Sequence, residues 1–278
     1  MLKKPLLSII ITCYNDAEFV EQSVNSALNQ SYSNKEVIVV DDGSDDETKQ
    51  VLIKLENKIT KLIVQDNNGQ SSARNAGINR ANGDYILILD SDDFFESLFC
   101  EKAIDVFLKN KEVKIVTCYA NLLFNNGSTH IFKPKGGDIK DFICLNGALG
   151  TSMFKKSDWN SVKGYDENMR SGFEDWEFFI RVLQNGGTTH VIKEPLFNYR
   201  KRLNTTTAKA NKIKYDLIKY IYLKHKDLYV KYNDLFVFHL LRKLEQEEKE
   251  KIKNTLRKEF VIGRSILSPF RIFKKLFK

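Results

Sequence analysis

Three short apolar runs in the first hundred residues each break off into polar, mostly acidic residues, and this constrains the fold more than any other feature. Leu7-Ser8-Ile9-Ile10-Ile11 stops at Thr12-Cys13-Tyr14-Asn15, Glu36-Val37-Ile38-Val39-Val40 at Asp41-Asp42-Gly43, and Tyr85-Ile86-Leu87-Ile88-Leu89 at Asp90-Ser91-Asp92-Asp93. Runs of this length, rich in β-branched residues, read as buried strands. Helical spacing fills the gaps: Ala17, Val20, Val24, Ala27 and Leu28 follow Asp16, and Val51, Leu52 and Leu55 follow Ser44. Asp16 is expected to cap the first helix, and Ser44 with Glu47 reads as a capping box for the second. A weaker strand at residues 61–65 leads through Asn67-Asn68-Gly69 to a helix from Ser72 to Arg80. Strand and helix in alternation predict βαβ units and a largely parallel sheet of the α/β class. The carboxyl ends of parallel strands share one edge, where open α/β sheets bind ligands. Residues far apart in sequence are therefore expected to meet in one crevice.

Beyond residue 110 the pattern is mixed. Residues 113–119 and 129–132 look like strands, and a Gly-rich stretch from Asn146 runs into a hydrophobic strand ending at Phe154. Gly172-Phe173-Glu174-Asp175-Trp176 opens a helix through Phe178, Phe179, Val182 and Leu183 that Gly186-Gly187 ends. From about residue 206 the chain reads as helix. There Ile218, Ile221, Tyr222, Leu235, Phe238 and Leu241 form an expected core-facing stripe on the α/β domain. The domains expected are thus residues 1–205 and a basic helical region, 206–278.

Composition narrows the function. With 42% apolar and 29% charged residues the chain is globular, and no apolar stretch approaches the roughly 20 residues of a membrane-spanning helix. The N-terminal apolar run is short and shows no signal-peptide pattern. Cys13, Cys100, Cys118 and Cys144 are scattered without a CxxC pair, so a reducing, cytoplasmic setting is expected instead of a disulfide or zinc framework. Any metal should be a hard cation held by oxygen, Mn²⁺ or Mg²⁺. Residues 201–278 carry a net charge of +13 and residues 1–200 of −5, which separates chemistry in front from electrostatic attachment behind. At the end, Ser268 and Pro269 introduce a short amphipathic segment: Phe270, Phe273 and Phe277 on one side, Arg271, Lys274, Lys275 and Lys278 carrying charge. It suits an anionic membrane surface, with docking on the protein itself as the alternative.

Taken singly, the acidic stations have bland explanations: a solvated turn at Asp90–Asp93, a cap and turn at Asp41–Ser44, dipole-favoured acids at Glu174-Asp175. Their order is more telling. The two opening segments, Ser8 to Asn15 and Glu36 to Ser44, followed by Gly69-Gln70-Ser71-Ser72-Ala73-Arg74-Asn75-Ala76-Gly77, Gly83-Asp84-Tyr85 with Leu89 to Asp93, and Gly172 to Asp175, resemble a family 2 glycosyltransferase of the GT-A fold over residues 6–205. The resemblance implies an inverting transfer from a nucleotide-diphosphate sugar, a UDP-sugar by preference, to a glycan or lipid-linked glycan acceptor in surface polysaccharide synthesis. It implies that Thr12, Tyr14 and Asp42 line the base and ribose pocket, with Arg74 near the nucleotide. Asp92 would meet ribose or metal, Asp93 would be the foremost metal ligand with Asp90 in support, and Asp175 the catalytic base beside Glu174. Trp176 and Arg202 are further candidates at the same site. The family's downstream Tyr-Arg-x-His is here Tyr199-Arg200-Lys201-Arg202, so an arginine that can bind diphosphate stands where a metal- or phosphate-assisting histidine is usual. The Gln-x-x-Arg-Trp signature of processive synthases is missing, which implies one sugar per encounter.

Two other classes compete. A sugar nucleotidyltransferase would carry a Gly-rich basic loop after the first strand, where this chain has Cys13-Tyr14-Asn15-Asp16. A non-catalytic nucleotide or nucleic-acid binder would use the basic tail, but the acidic stations repel a phosphate backbone, and no nucleic-acid partner is expected.

Overall fold

A computed structural model describes residues 4–202, 205–260, 262, 263 and 266. The first half follows the alternation in its sequence: β1 (Leu7–Cys13), α1 (Val20–Leu28), β2 (Lys35–Asp42), α2 (Asp46–Leu55), β3 (Lys61–Gln65), α3 (Gln70–Arg80) and β4 (Tyr85–Asp90). The strands pair in parallel in the order β3-β2-β1-β4, with Thr12 beside Asp90 and Cys13 beside Asp41. Alternate side chains then cover opposite faces. Ile9, Ile11, Val37 and Val39 meet Val20 and Val24 of α1 and Leu52 of α2 in one core. Ile10 and Val40 point the other way and receive α3 so closely that a Cβ on Gly77 would lie 2.4 Å from the Ile10 side chain. Only glycine permits that approach.

The second half is β5 (Phe94–Phe95), α4 (Phe99–Lys109), β6 (Val113–Phe124), β7 (Thr129–Phe132), α5 (Ile139–Phe142), β8 (Met153–Lys155), α6 (Lys156–Ser161), α7 (Glu174–Leu183) and β9 (Thr188–Lys201). Among the described residues the sheet has nine strands in the order β3-β2-β1-β4-β8-β6-β9-β5, with β7 on β6. β8 runs antiparallel to both β4 and β6, and β6 and β9 are parallel to each other. β9 pairs antiparallel with β5, which fixes its carboxyl end beside Asp90–Asp93. Its pairing with β6 is interrupted by irregularities around Tyr119, opposite Pro195, as a strand proline requires.

Helices α8 (Thr206–Lys212), α9 (Lys214–Lys224), α10 (Lys226–Lys231) and α11 (Asn233–Thr255) follow. By its contacts the chain divides into two units, Met1–Leu228 and Tyr229–Lys278, so α8 and α9 belong with the sheet. Glu177 of α7, fully buried, holds this arrangement: it pairs with Arg181 (2.6 Å) on its own helix and with Lys224 and His225 (2.9 Å each). Burial opposes its charge, but hydrogen bonds from His225 and Arg181 outweigh it and bring the carboxyl down to about 2.

Local expectations are corrected in three places. Asp16 does not cap α1, which begins at Val20; its side chain turns to Ser91 and Arg202 instead. The cap of α2 is Asp45, which accepts from the Thr48 amide, while Ser44 accepts from the Asn15 amide. Of the expected C-terminal stripe Ile221 is buried, whereas Leu235, Phe238 and Leu241 are exposed. The basic segment from Phe270 to Lys278 lies outside the described residues. No described helix is long and apolar enough to cross a membrane.

Candidate active site

The adjoining ends of β1 and β2 carry the first candidates. Thr12 is half-buried at the end of β1 and Tyr14 is half-exposed just beyond it. Asp42, nearly buried, accepts from Gln65 (2.7 Å) and from the backbone amides of Asn68 (2.9 Å) and Gly69 (2.8 Å). A carboxylate has about four acceptor positions, so Asp42 mainly shapes the Asn67–Gly69 turn and keeps little capacity for a ligand. Its neighbour Asp41 points to the other face. There Oδ1 accepts from the Ser44 amide and Oδ2 is buried without a partner among the described residues.

At the end of β4 three carboxylates crowd together. Asp90 is the most open, its side chain 37% exposed, and its Oδ1 meets Arg74 at 3.0 Å. Asp92 is 14% exposed and pairs through Oδ2 with Arg202 at 2.5 Å. Burial, then the charge of Asp90, pushes Asp92 up to about 6 against the pull of Arg202. Expected as the foremost metal ligand, Asp93 is instead the most enclosed: it is 1% exposed, and its Oδ1 accepts from the Arg200 amide at 2.8 Å. Burial and the charges of Asp92 and Asp90 raise it well above the usual carboxylate range.

The end of β9 supplies the neutralising charge. Arg200 lies between the rings of Phe19 and Phe94, 5.0 Å from each, and donates to the Asp92 carbonyl and to Gln22. Arg202 spans Asp16 (3.0 Å) and Asp92 (2.5 Å) over the Phe19 ring. Asp16 Oδ2 accepts in turn from Ser91 Oγ at 2.5 Å.

The start of α7 is tied to this cluster through Arg74. Gly172 (φ 111°) and Phe173 (φ 63°) are both left-handed and turn the chain sharply into the helix. A side chain on Gly172 would strike Ala210 of α8, and the Phe173 conformation costs about 1 kcal/mol. That turn presents Glu174 and Asp175 at a helix N-terminus, where the dipole favours anions. Glu174 is 3% exposed and pairs with Arg74 Nη1 at 2.5 Å, and burial pushes it up to about 7 despite that partner. Asp175 stays partly exposed and accepts from Asn146 Nδ2 at 2.8 Å; its pKa is raised, mainly by burial. Trp176 turns away and donates to the Phe142 carbonyl at 2.6 Å, anchoring α5 and leaving the crevice.

Arg74 joins the end of β4 to the start of α7. Almost wholly buried, with its guanidinium 5.5 Å from the Tyr165 ring, it grips Asp90 and Glu174 together. It is thereby committed to carboxylates, not turned freely to a ligand. The structure so brings Asp90, Asp92, Arg74, Glu174 and Arg202 into one connected charge network around the β4 end, with Asp175 beside Glu174. Thr12, Tyr14 and Asp42 occupy the same sheet edge. Four participants were missed from sequence: Asp16, Arg200, Asn146 and Tyr165. Asp16 could have been found from its place at the end of β1; nothing local marks Asn146.

For a divalent ion the donor set fits one arrangement. Among the described residues no three His, Cys, Asp or Glu side chains converge as a ready-made metal cage. Mg²⁺-type sites, however, commonly use one or two carboxylates with substrate phosphates. Asp90 and Asp92 are the two here that keep an open face beside like charges a cation would offset.

Comparisons with known proteins agree with this architecture. Residues 8–170 match the family described as glycosyl transferase family 2, and residues 145–214 match one described as N-terminal domain of galactosyltransferase. An uncharacterized glycosyltransferase of Haemophilus influenzae is 38% identical over 82% of this chain and 91% of its own length. The Escherichia coli chondroitin synthase is 29% identical over 91% of this chain, which spans only 37% of that protein. The crystal structure of S. aureus TarS 1-349 in complex with UDP-GlcNAc superposes with a TM-score of 0.68 at 18% identity, covering 91% of this chain and 76% of that one. The family match over residues 8–170, the relative 38% identical over most of its length, and the shared architecture settle the family: the chain is a GT-A-fold glycosyltransferase and belongs to glycosyl transferase family 2.

Proposed function

We propose that the protein is an inverting transferase that moves one sugar from a nucleotide-diphosphate sugar to a hydroxyl of a glycan or lipid-linked glycan in surface polysaccharide synthesis. The observation that carries this reading is the Arg74 bridge, which ties the β4 carboxylate Asp90 to Glu174 at the start of α7. A UDP-sugar is favoured because the solved relative TarS is described with UDP and with UDP-GlcNAc. The chondroitin synthase and a Bacillus subtilis protein described as a putative teichuronic acid biosynthesis glycosyltransferase support a polysaccharide product.

In this mechanism Thr12, Tyr14 and the remaining acceptor position of Asp42 line the base and ribose. Asp90 and Asp92 would hold Mn²⁺ or Mg²⁺ jointly with the diphosphate, and Asp93 braces them through the Arg200 amide. The ion would supply Lewis-acid neutralisation of the leaving diphosphate. Asp175 accepts the proton of the acceptor hydroxyl as that oxygen attacks the anomeric carbon from the face opposite the diphosphate. A carboxylate is a weak base toward an alcohol, so the proton moves late, once bond formation has acidified it, and positioning carries much of the rate. Asn146 occupies one oxygen of Asp175 and leaves the other for the hydroxyl. Glu174, held by Arg74, fixes the turn and the charge balance around it. The basic segment from Phe270 to Lys278 would hold the enzyme at the cytoplasmic membrane face, where a lipid-linked acceptor is presented; sedimentation with anionic vesicles at low salt tests that part separately.

The decisive experiment is a panel of nucleotide-sugars with Mn²⁺, following the nucleotide released. Release of UDP from a UDP-sugar, abolished in Asp175→Asn for transfer, is the expected result. Pyrophosphate in place of UDP would mean nucleotidyl transfer, and no release from any donor would overturn the reading.

A further inference from the structure

Two arginines reach the β4 carboxylates from the end of β9, and they are held very differently. Arg200 is within the ladder, opposite Leu123, with its amide on Asp93 and its guanidinium between two aromatic rings. Arg202 lies one residue past the last paired position of β9, Lys201, so no sheet hydrogen bond fixes it. Its guanidinium is two-pronged, with Nη1 on Asp16 and Nη2 on Asp92, while its Nε is buried and has no partner among the described residues. An unmet buried donor is costly. A ligand with several anionic oxygens would satisfy it.

Chemistry adds a conflict. Guanidinium has donors only and no lone pair with which to bind a metal. Arg202 therefore cannot take over the coordinating role open to a histidine at this position. A dication approaching Asp92 meets a positive charge already seated there, and the two repel at that distance. One of them has to give way. The incoming diphosphate offers the displaced guanidinium a better partner, since planar bidentate pairing with phosphate oxygens is what arginine does well.

We propose that Arg202 is an exchangeable counter-ion: in the free protein it neutralises Asp92 and Asp16, and when donor and divalent ion arrive it cedes Asp92 to the ion and turns to the diphosphate. This rests on the nucleotide-sugar reading above and adds an order to it. The ion alone is kept out, and ion and diphosphate enter together. Asp16 becomes the pivot, holding one prong while the other moves.

The test measures binding, not turnover. Free Mn²⁺ is followed by electron paramagnetic resonance on the full chain, with and without UDP, and UDP affinity without metal is measured by calorimetry. The wild-type protein is expected to bind Mn²⁺ weakly alone and far better with UDP. Arg202→Gln is expected to bind Mn²⁺ alone about 10-fold more tightly and UDP alone about 10-fold more weakly, within the usual range of coupling between sites. Arg202→Lys keeps the charge but not the two-pronged grip and is expected to fall between. Unchanged or weaker Mn²⁺ binding by Arg202→Gln would overturn the proposal. If that variant does not fold, Arg202→Lys decides by the same criterion. Should the wild-type protein bind no UDP even with Mn²⁺, the functional reading itself fails, which is a different outcome from a variant that leaves Mn²⁺ affinity untouched.

Discussion

Asp90–Asp93 and Glu174-Asp175 are both acidic clusters at the mouth of the sheet, yet their surroundings differ. The first is met by arginines arriving from the far end of the chain, Arg200 and Arg202, and keeps Asp90 and Asp92 partly open. The second sits at a helix N-terminus with one shared arginine and one asparagine as partners. Mobile counter-charge suits a cluster that must exchange partners for a cation and phosphates. A carboxylate held by a neutral amide suits a cluster that must take up and release a proton. Under the proposed function the pair would divide the work: donor handling at β4, acceptor activation at α7.

The sharpest way to break that division is a crossed pair of substitutions. Asp175→Asn is expected to lower kcat by about 10³-fold with UDP affinity unchanged, and Asp92→Asn to weaken Mn²⁺-dependent UDP binding by about 10–100-fold. Calorimetry beside a UDP-release assay distinguishes them, and equal losses of binding in both would erase the comparison.

Arg74→Met tests the bridge. Breaking a buried ion pair from one side is expected to cost about 3–5 kcal/mol in urea denaturation, with part regained when Glu174→Gln is added. Additive losses would mean that Arg74 and Glu174 do not act as a pair.

A pH series probes α7 one turn further on. Because the Glu177 carboxyl is depressed to about 2, its contribution is present above its unfolded pKa near 4.5 and is lost as pH falls toward 2. That contribution is about 3 kcal/mol. Glu177→Gln should flatten the acid limb of stability; a limb of unchanged steepness would place the acid sensitivity elsewhere.

The smallest expected effect is that of Asn146→Ala. Losing its hydrogen bond to the Asp175 carboxylate should move the acid limb of kcat upward in pH and lower kcat by about 10-fold, without changing the KM for donor. Asp175 is also faced by Arg74, Glu174, Asp90 and Tyr165, so the shift has to be read in a background that keeps all four.

The first half of the fold was legible because β-branched runs and 3.6-residue spacing report directly on burial, and β1 to β4 and α1 to α3 follow them. Local reasoning failed where partners are remote. Asp16 fits a cap rule, but it is claimed by Ser91 and Arg202, which no short window contains. Ser44 with Glu47 fits a capping box, yet the Asp41 carboxylate takes the Ser44 amide and the cap moves to Asp45. β9 escaped notice as a strand because Lys193-Glu194-Pro195 interrupts its alternation. Asn146 carries no pattern at all; its role exists only once α7 is folded against its loop. The resemblance put Asp93 foremost as a metal ligand, and the structure encloses Asp93 more than Asp92, which no short stretch of sequence reports.

The irregular pairing around Pro195 has a consequence for how such a chain can vary. Arg200 is paired opposite Leu123 near the end of β9, and Arg202 follows one residue beyond the last paired position, Lys201. Losing or gaining a single codon between Pro195 and Arg200 would shift the register that sets the Arg200 amide on Asp93 and the point from which Arg202 reaches Asp92. Length changes should therefore be tolerated in the Gly186-Gly187 turn, which has open space around Gly186, and be rejected a few residues later.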